Sequence, residues 1–467
     1  MSRSGSTSSL LGVSKMARCF HDEVIVIVAL TGAGEIKEAS KMRCALGILC
    51  FFLSTMLLGA AQDETAQDVA GPFLSRETLT GEWFGTRPAL SDRGVEFFAS
   101  YTAEVWGNTA GGLRTGSVYT GLLDFGSELD LEKVMGWHGA KASTTWLWLS
   151  GQDASQELVG NFLTISNIAG FNTLRCVELW LQQDLLDEKL SLRAGQITAD
   201  SEFLVSDYGS LFINAEFGWS ALVGSNIPNG AAAFPVGAPG ARIAFTPVDS
   251  FTFLSAVYQG NVFAQDVNRH GFRWRLDAQN GFTWMNEAQL YWGKGDSCKF
   301  LPGFVKAGAW FQSGQYADAL ADSTSSGNSG FYLLLDQMLL REKADTAPDS
   351  DEGLGFFGRT GFAPPDRNVV DFFFDMGFTY KGLIPGRDED SFGLAYGFAA
   401  LSPEARNDIG AAGGDGAVSE MVLEATYQCV LTPWCILQPD AQLIVNPGGD
   451  NSAPNAFVIG ARLAITF

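Results

Sequence analysis

The most constraining feature of this sequence is an alternation of apolar and polar residues that recurs from residue 95 to residue 467. At the C-terminus, Phe457, Ile459 and Leu463 alternate with Gly460 and Arg462, and a period of two places such sets on opposite faces of a β-strand. Most of these segments run about 9–13 residues, long enough to cross a bilayer at a tilt. Since open sheet edges cannot lie in lipid, such strands must close into a barrel with the polar face inward. The pattern predicts an all-β fold, a transmembrane antiparallel β-barrel.

Counting the alternating segments gives sixteen strands, an even number as in bacterial outer-membrane barrels. They are predicted at 95–106, 117–131, 138–149, 174–184, 189–198, 240–247, 251–258, 281–293, 303–313, 329–340, 353–362, 369–381, 391–401, 418–430, 434–445 and 456–467. No segment after residue 61 has 18 consecutive apolar residues, so helical membrane spans are not expected.

The N-terminal residues carry an export signal. The apolar run CALGILCFFLSTMLL at 44–58 follows Lys41 and Arg43 and precedes small residues at 59–61, an order typical of a cleaved signal peptide. We therefore predict a signal peptide at 42–61, an N-terminal periplasmic segment at 62–94 and a barrel domain at 95–467. Residues 1–41 are interpreted as a mis-annotated start or a disordered extension.

Composition excludes several classes of function. The chain has 52 Asp and Glu against 30 Lys and Arg, a formal net charge of −22, whereas nucleic-acid binders need a basic face. Only three histidines occur, and no metalloprotease, hydrolase or phosphate-loop motif is present. We expect no enzyme activity, no metal, no cofactor and no nucleic-acid partner.

Several blocks of sequence resemble the carbohydrate-selective porin family of the OprB type. They are LTGEWFGTRPALSDRG (79–94), GGLRTGSVYTGLLDFG (111–126), DLEKVMGW (130–137), LSLRAGQITADSEFLVSDYGSLFINAEFGW (190–219), NRHG (268–271), FAPPDRNVVDFFFDMGFTYKGLIPGR (362–387) and YQCVLTPWCILQPDAQLIVNPGG (427–449). The resemblance covers residues 79–467 and implies a sixteen-stranded barrel in the cell outer membrane that passes sugars passively, without enzyme activity.

A pore for sugars needs side-chain hydrogen-bonding groups and aromatic surfaces, because sugars are neutral and rich in hydroxyls. From the alternation, the predicted pore-lining and substrate-binding residues are Glu178, Trp180, Gln182, Arg193, Lys306, Trp310, Arg359 and Asp375. Acidic and basic groups facing each other across a narrow pore suit polyols. The alternative for each residue is that it only solvates or stabilises the wall.

The connection at 199–239 is long, and its position after the fifth strand makes it the third outer loop. Loops of this length without their own secondary structure are usually functional or disordered. We predict that it folds into the barrel and sets the constriction through Asp200, Glu202, Asp207, Tyr208, Glu216 and Trp219. A loop that caps the outside is the alternative.

Cys429 and Cys435 lie symmetrically about Thr432 in the turn CVLTPWC. A hairpin centred there would place the two side chains on one face, so a disulfide is geometrically possible. The sequence leaves open whether it forms.

The leading hypothesis is an outer-membrane porin for selective, passive diffusion of carbohydrates, with mono- or oligosaccharides and outer-membrane lipid as partners. Two alternatives remain open: a general diffusion porin with weak cation preference, suggested by the negative net charge, and a secreted soluble β-protein that binds glycans. Homo-oligomer formation is also left open.

Overall fold

The computed structural model describes residues 73–274, 280–293, 300–317, 324–342 and 350–467. These described residues belong to one compact unit. The predicted extension at 1–41, the signal peptide at 42–61 and the first part of the predicted periplasmic segment lie outside the described residues.

The described residues contain sixteen strands, each of which overlaps one predicted segment. They are β1 (Val95–Ala110), β2 (Gly116–Asp130), β3 (Ala140–Gly151), β4 (Thr173–Leu185), β5 (Leu190–Ile197), β6 (Ala238–Val248), β7 (Phe251–Gln259), β8 (Phe282–Trp292), β9 (Gly303–Ala317), β10 (Thr324–Arg341), β11 (Gly353–Phe362), β12 (Val370–Lys381), β13 (Ser391–Leu401), β14 (Ser419–Thr432), β15 (Cys435–Val445) and β16 (Ala456–Thr466).

Helices in the described part of the chain are short and lie in the connections. The α-helices are α1 (Thr86–Ser91), α2 (Leu131–Met135), α3 (Ala221–Gly224) and α4 (Pro403–Ala411). Single 3₁₀ turns cover Phe73–Ser75, Trp83–Gly85, Gly209–Leu211, Ala215–Phe217, Pro228–Gly230 and Pro447–Gly449, and a π turn covers Ser155–Val159. None of the helices in these ranges has the length and apolarity needed to cross a membrane.

Each strand pairs antiparallel with its neighbours in sequence, and β1 pairs with β16, which closes the barrel. Ser100 lies opposite Thr466 and Trp106 opposite Gly460 across this seam. Gly460 is required there, because a Cβ at this position would lie 2.2 Å from the Trp106 ring. The predicted sixteen-stranded barrel is confirmed.

The two faces of the strands differ as the alternation predicts. On β4, Leu179 and Leu181 are exposed on the outside, whereas Glu178 and Trp180 point into the barrel and bond to each other. An apolar outer surface of this kind is what a transmembrane barrel requires, because hydrocarbon offers no partner for polar groups.

The segment before β1 packs against the end of the barrel where β16 finishes. The backbone N–H of Leu79 donates to the Thr466 carbonyl at 2.8 Å. The Arg87 guanidinium donates to the Phe467 carbonyl at 2.7 Å and to the Thr78 hydroxyl, and it stacks on the Trp83 ring at 4.7 Å. Arg87 therefore fastens the last strand of the barrel to the segment that precedes the first.

We predict that Arg87→Ala lowers the stability of the barrel by about 1–3 kcal/mol, the size of a hydrogen bond to a charged group. The measurement is thermal unfolding in detergent, followed by circular dichroism. Arg93→Ala is the matched control, because Arg93 is exposed on the same segment. Equal losses in the two variants would contradict a specific role for Arg87.

Candidate functional site: the pore and its inner loop

The connection between β5 and β6, residues 198–237, lies inside the barrel and is called the inner loop here. Its backbone bonds to inward side chains of strands on the far side of the barrel. The N–H of Leu204 donates to Glu287 on β8 at 2.8 Å, and the N–H of Asp207 donates to Asp336 on β10 at 2.7 Å. These bonds give buried N–H groups of the loop the partners that buried backbone groups require.

Further along, the inner loop is held by the last strands of the barrel. The N–H groups of Ile213 and Asn214 donate to Glu424 on β14 at 2.6 and 2.9 Å. The Gln438 amide of β15 donates to the Leu211 carbonyl at 2.8 Å. The loop therefore crosses the lumen from β6 to β15.

Arg359 on β11 bonds to three backbone carbonyls of the inner loop. Its guanidinium donates to the carbonyls of Leu204 at 3.1 Å, Gly218 at 2.7 Å and Glu216. It also forms a two-pronged ion pair with Asp375 on β12 at 2.7 and 3.0 Å. Both side chains of the pair are 0% exposed, so the pair is a buried anchor.

An apolar core fills the space between the inner loop and this wall. The Phe212 and Phe217 rings of the loop lie 5.6 and 6.0 Å from the Phe357 ring of β11. Aromatic pairs at these separations add to the stabilisation that comes from area burial. The lumen beside β8–β15 is thus occupied by protein rather than water.

The second outer loop, residues 152–172, also turns inward. The N–H groups of Phe162 and Leu163 donate to Glu420 on β14 at 3.0 and 2.7 Å. Its backbone meets the inner loop where the N–H of Ala215 donates to the Thr164 carbonyl at 2.9 Å. The two loops support each other inside the barrel.

The wall formed by β2–β6 is different, because side chains on it keep contact with water. Arg193 on β5 and Glu202 of the inner loop are 18% and 19% exposed, against 0% for the Arg359–Asp375 pair. We call this side, between the inner loop and β2–β6, the open half of the lumen.

In the open half, side chains of β4 and β5 form an ordered cluster. The Arg193 guanidinium lies 4.1 Å from the centroid of the Trp180 ring and donates to Gln182 at 3.0 Å. The Glu178 carboxylate accepts from Thr198 at 2.9 Å and from the Trp180 indole at 3.3 Å. Guanidinium, amide, carboxylate and aromatic groups therefore lie side by side.

Arg242 on β6 ties this cluster to the inner loop. It pairs with Glu202 at 2.8 Å and donates to Gln182 at 3.2 Å. Arg193 approaches the same Glu202 carboxylate at 3.8 Å. The two guanidinium groups thus share one carboxylate of the loop.

Burial changes the ionisation of carboxyls in the inner loop. It raises the pKa of Asp200 to about 6, although the carboxylate accepts a hydrogen bond from the Phe234 N–H at 2.8 Å. It raises the pKa of Glu216 well above the usual value, and this carboxylate accepts only from the Ala221 N–H at 2.7 Å. Both shifts favour the protonated form, since burial penalises the charge.

The structure divides the predicted pore-lining residues into two groups. Glu178, Trp180, Gln182 and Arg193 lie on the open half. The other four are covered by the inner loop in this structure; they are Lys306, Trp310, Arg359 and Asp375, all at most 5% exposed. Alternation shows that a side chain points inward but not that a loop lies over it.

The predicted constriction residues also differ in how far they are exposed to solvent. Asp207 is exposed, and partial exposure is shared by Asp200, Glu202, Tyr208 and Trp219. Glu216 is 2% exposed and bonds to the backbone of the loop itself.

Sequence reasoning missed Arg175 on β4, which is 1% exposed. Its guanidinium donates to the carbonyls of Pro235 at 3.1 Å, Gln265 at 2.8 Å and Asn268 at 2.9 Å. A bulge in the pairing of β3 with β4 shifts the alternation just before Glu178, so a strict period of two does not identify Arg175. Glu420, Glu424, Gln438 and Gln442 do follow the alternation and were not singled out.

The disulfide that the sequence left open is not formed. Cys429 and Cys435 both have free thiols. Cys435 lies opposite Thr432, so the turn is centred on Pro433 and Trp434 rather than on Thr432, and Cys429 lies opposite Leu437. The Cys429 sulfur instead accepts a hydrogen bond from Arg387 at 2.8 Å.

A closed sixteen-stranded barrel with an apolar outside and a partly water-exposed lumen defines a channel of the outer-membrane porin class. The family model described as "Carbohydrate-selective porin, OprB family" matches residues 114–467. The chain therefore belongs to the OprB family of carbohydrate-selective porins and functions in the outer membrane as a carbohydrate porin, not as an enzyme. The alternative of a secreted soluble glycan-binding protein is wrong.

Individual relatives agree with this family. The chain is similar to Porin B of Pseudomonas aeruginosa, with 23% identity over 456 residues, 89% of this chain and 96% of that protein. It is also 23% identical to the putative porin QuiX of Acinetobacter baylyi over 455 residues, 89% of this chain and 99% of that protein. The high-pH structure of Pseudomonas putida OprB superposes with a TM-score of 0.75 at 22% identity, covering 85% of this chain and 100% of that one.

We predict that Arg359→Leu frees the inner loop and raises single-channel conductance in planar bilayers. Removing one partner of a buried ion pair also costs about 3–5 kcal/mol of stability, because Asp375 is left charged and unpaired.

The double variant Arg359→Leu/Asp375→Leu separates the two effects. Without an unpaired charge it should regain stability, yet keep the raised conductance, because the bonds to the Leu204, Glu216 and Gly218 carbonyls are still absent. Wild-type conductance in a folded double variant would show that Arg359 does not hold the loop.

Proposed function

We propose that carbohydrates cross the barrel through its open half, between the inner loop and the wall of β2–β6. The observation that carries this proposal is the difference in exposure between the Arg193 side and the Arg359 side of the lumen. A solute needs a continuous water-filled path, and the far wall is sealed by the inner loop.

The wall cluster supplies the groups that a sugar needs. Arg193 and Gln182 offer N–H donors, and Glu178 offers carboxylate acceptors. Because these side chains already bond to one another, they are held in place before a sugar arrives. A sugar hydroxyl exchanges a bond to water for a bond to this cluster, so passage costs little desolvation energy.

On the opposite side of the path, we propose that the partly exposed residues of the inner loop form the constriction. They are Asp200, Glu202, Asp207, Tyr208 and Trp219. Burial raises the pKa of the Tyr208 hydroxyl to about 12, so this group stays a neutral hydrogen-bond donor and acceptor at physiological pH.

The outer face contacts lipid in this proposal. Its exposed apolar side chains include Phe253, Val257, Trp284, Phe311, Leu333, Phe378, Leu394 and Leu423. A homo-oligomer would cover part of the same face, and cross-linking in intact outer membranes tests for it.

We predict that Trp180→Ala and Arg193→Ala each change the ranking of sugars in liposome-swelling assays while the pore remains open to ions. Each substitution removes the cation–π contact between Arg193 and Trp180, an interaction energy of about 0.5–2 kcal/mol. An energy of this size corresponds to a few-fold change in relative permeation.

Trp137→Ala is the matched control, because Trp137 is an exposed indole in the turn between β2 and β3. The proposal is contradicted if both lumen variants rank a panel of mono- and disaccharides as the wild type does.

A further inference from the structure

The open half of the lumen carries an excess of negative charge. Three carboxylates on its wall point into the barrel and are not buried; they are Asp124 and Glu128 on β2 and Glu178 on β4. In the described structure none of these three carboxylates has a basic group within ion-pair distance, whereas Glu202 is paired with Arg242 at 2.8 Å.

The strand register places the three carboxylates near one another. Glu128 lies opposite Ser143, which lies opposite Trp180, and Thr145 lies opposite Glu178. Asp124 and Glu178 are electrostatic neighbours, and one oxygen of Asp124 is enclosed without a hydrogen-bond partner. The acidic groups therefore form a continuous strip along β2–β4.

The basic groups nearby do not balance this strip. Arg193 interacts electrostatically with Glu202, Glu178 and Glu128. The neighbouring Arg242 forms its ion pair with the same Glu202 carboxylate. Arg175 also lies on this wall, where it bonds to backbone carbonyls. Counting Asp124, Glu128, Glu178 and Glu202 against Arg175, Arg193 and Arg242 leaves 4 − 3, an excess of one negative charge among these described residues. Lys141 and Asp184, at the end of the same wall, add one charge of each sign.

We propose that this acidic strip selects solutes by charge, so that the pore favours neutral and amino sugars over sugar acids and sugar phosphates. The inference rests on the proposed path through the open half. In a narrow water-filled pore with low-dielectric walls, fixed charges of one sign concentrate counter-ions and repel co-ions.

Two measurements on the purified full-length porin test this inference. The first is the reversal potential across a planar bilayer in a KCl gradient, which needs no sugar. The second is liposome swelling with glucose, glucosamine and gluconate. We expect a reversal potential that shows preference for K⁺. We also expect gluconate to enter about three-fold more slowly than glucose, because the Coulomb repulsion energy between two like charges in water is close to RT.

Asp124→Asn/Glu128→Gln should move the reversal potential toward zero and bring gluconate closer to glucose. Glu128→Gln alone is the second variant if the double variant does not fold, because Glu128 is exposed. Glu132→Gln is the matched control, since Glu132 is a carboxylate of the turn between β2 and β3, where it bonds to His138.

The outcomes distinguish the two proposals. A wild-type pore without cation preference, or neutralised variants with an unchanged reversal potential, would overturn the charge selection. A cation-selective pore that ranks sugars identically in the Trp180 and Arg193 variants would leave charge selection standing and remove the proposed sugar contacts.

Discussion

Hydrogen bonds from wall side chains to the backbone of the inner loop are the interaction on which the rest of the pore depends. Glu287, Asp336 and Glu424 accept from loop N–H groups, and Arg359 donates to loop carbonyls. A loop that turns through the lumen leaves many backbone groups without regular partners, and burying them unpaired would cost about 1–3 kcal/mol each. The barrel supplies those partners, so the loop stays inside the pore.

This arrangement gives inward charged residues two separate roles. On β8–β15 they are covered and hold the loop, as Arg359 and Asp375 do. On β2–β6, Arg175 and Arg242 are buried, but others remain partly exposed, as Arg193 does, and we propose that these meet the solute. The same residue types therefore stabilise one half of the lumen and select solutes in the other.

Much of the fold follows from the sequence alone, because a period of two and a bilayer leave few alternatives to a closed barrel. The sixteen strands, and the inward direction of Glu178, Arg193 and Arg359, follow from it. What alternation cannot provide is the path of a loop, which depends on contacts between residues more than 100 positions apart, such as Arg359 with Leu204. A bulge breaks the period on β4, which is why Arg175 was missed. The exact centre of a turn is also not fixed by alternation, and the turn at Pro433–Trp434 leaves Cys429 opposite Leu437 instead of Cys435.

Anchoring through backbone atoms has a consequence for selectivity. Since many of the wall's bonds go to N–H and carbonyl groups that every residue except proline possesses, those bonds do not depend on which side chains the loop carries. The fold shared with Pseudomonas putida OprB at 22% identity fits such tolerance. The exposed side chains of the loop, Asp207 among them, are then free to vary with the solute, while Arg359, Asp375 and the wall carboxylates are constrained by the loop that they hold.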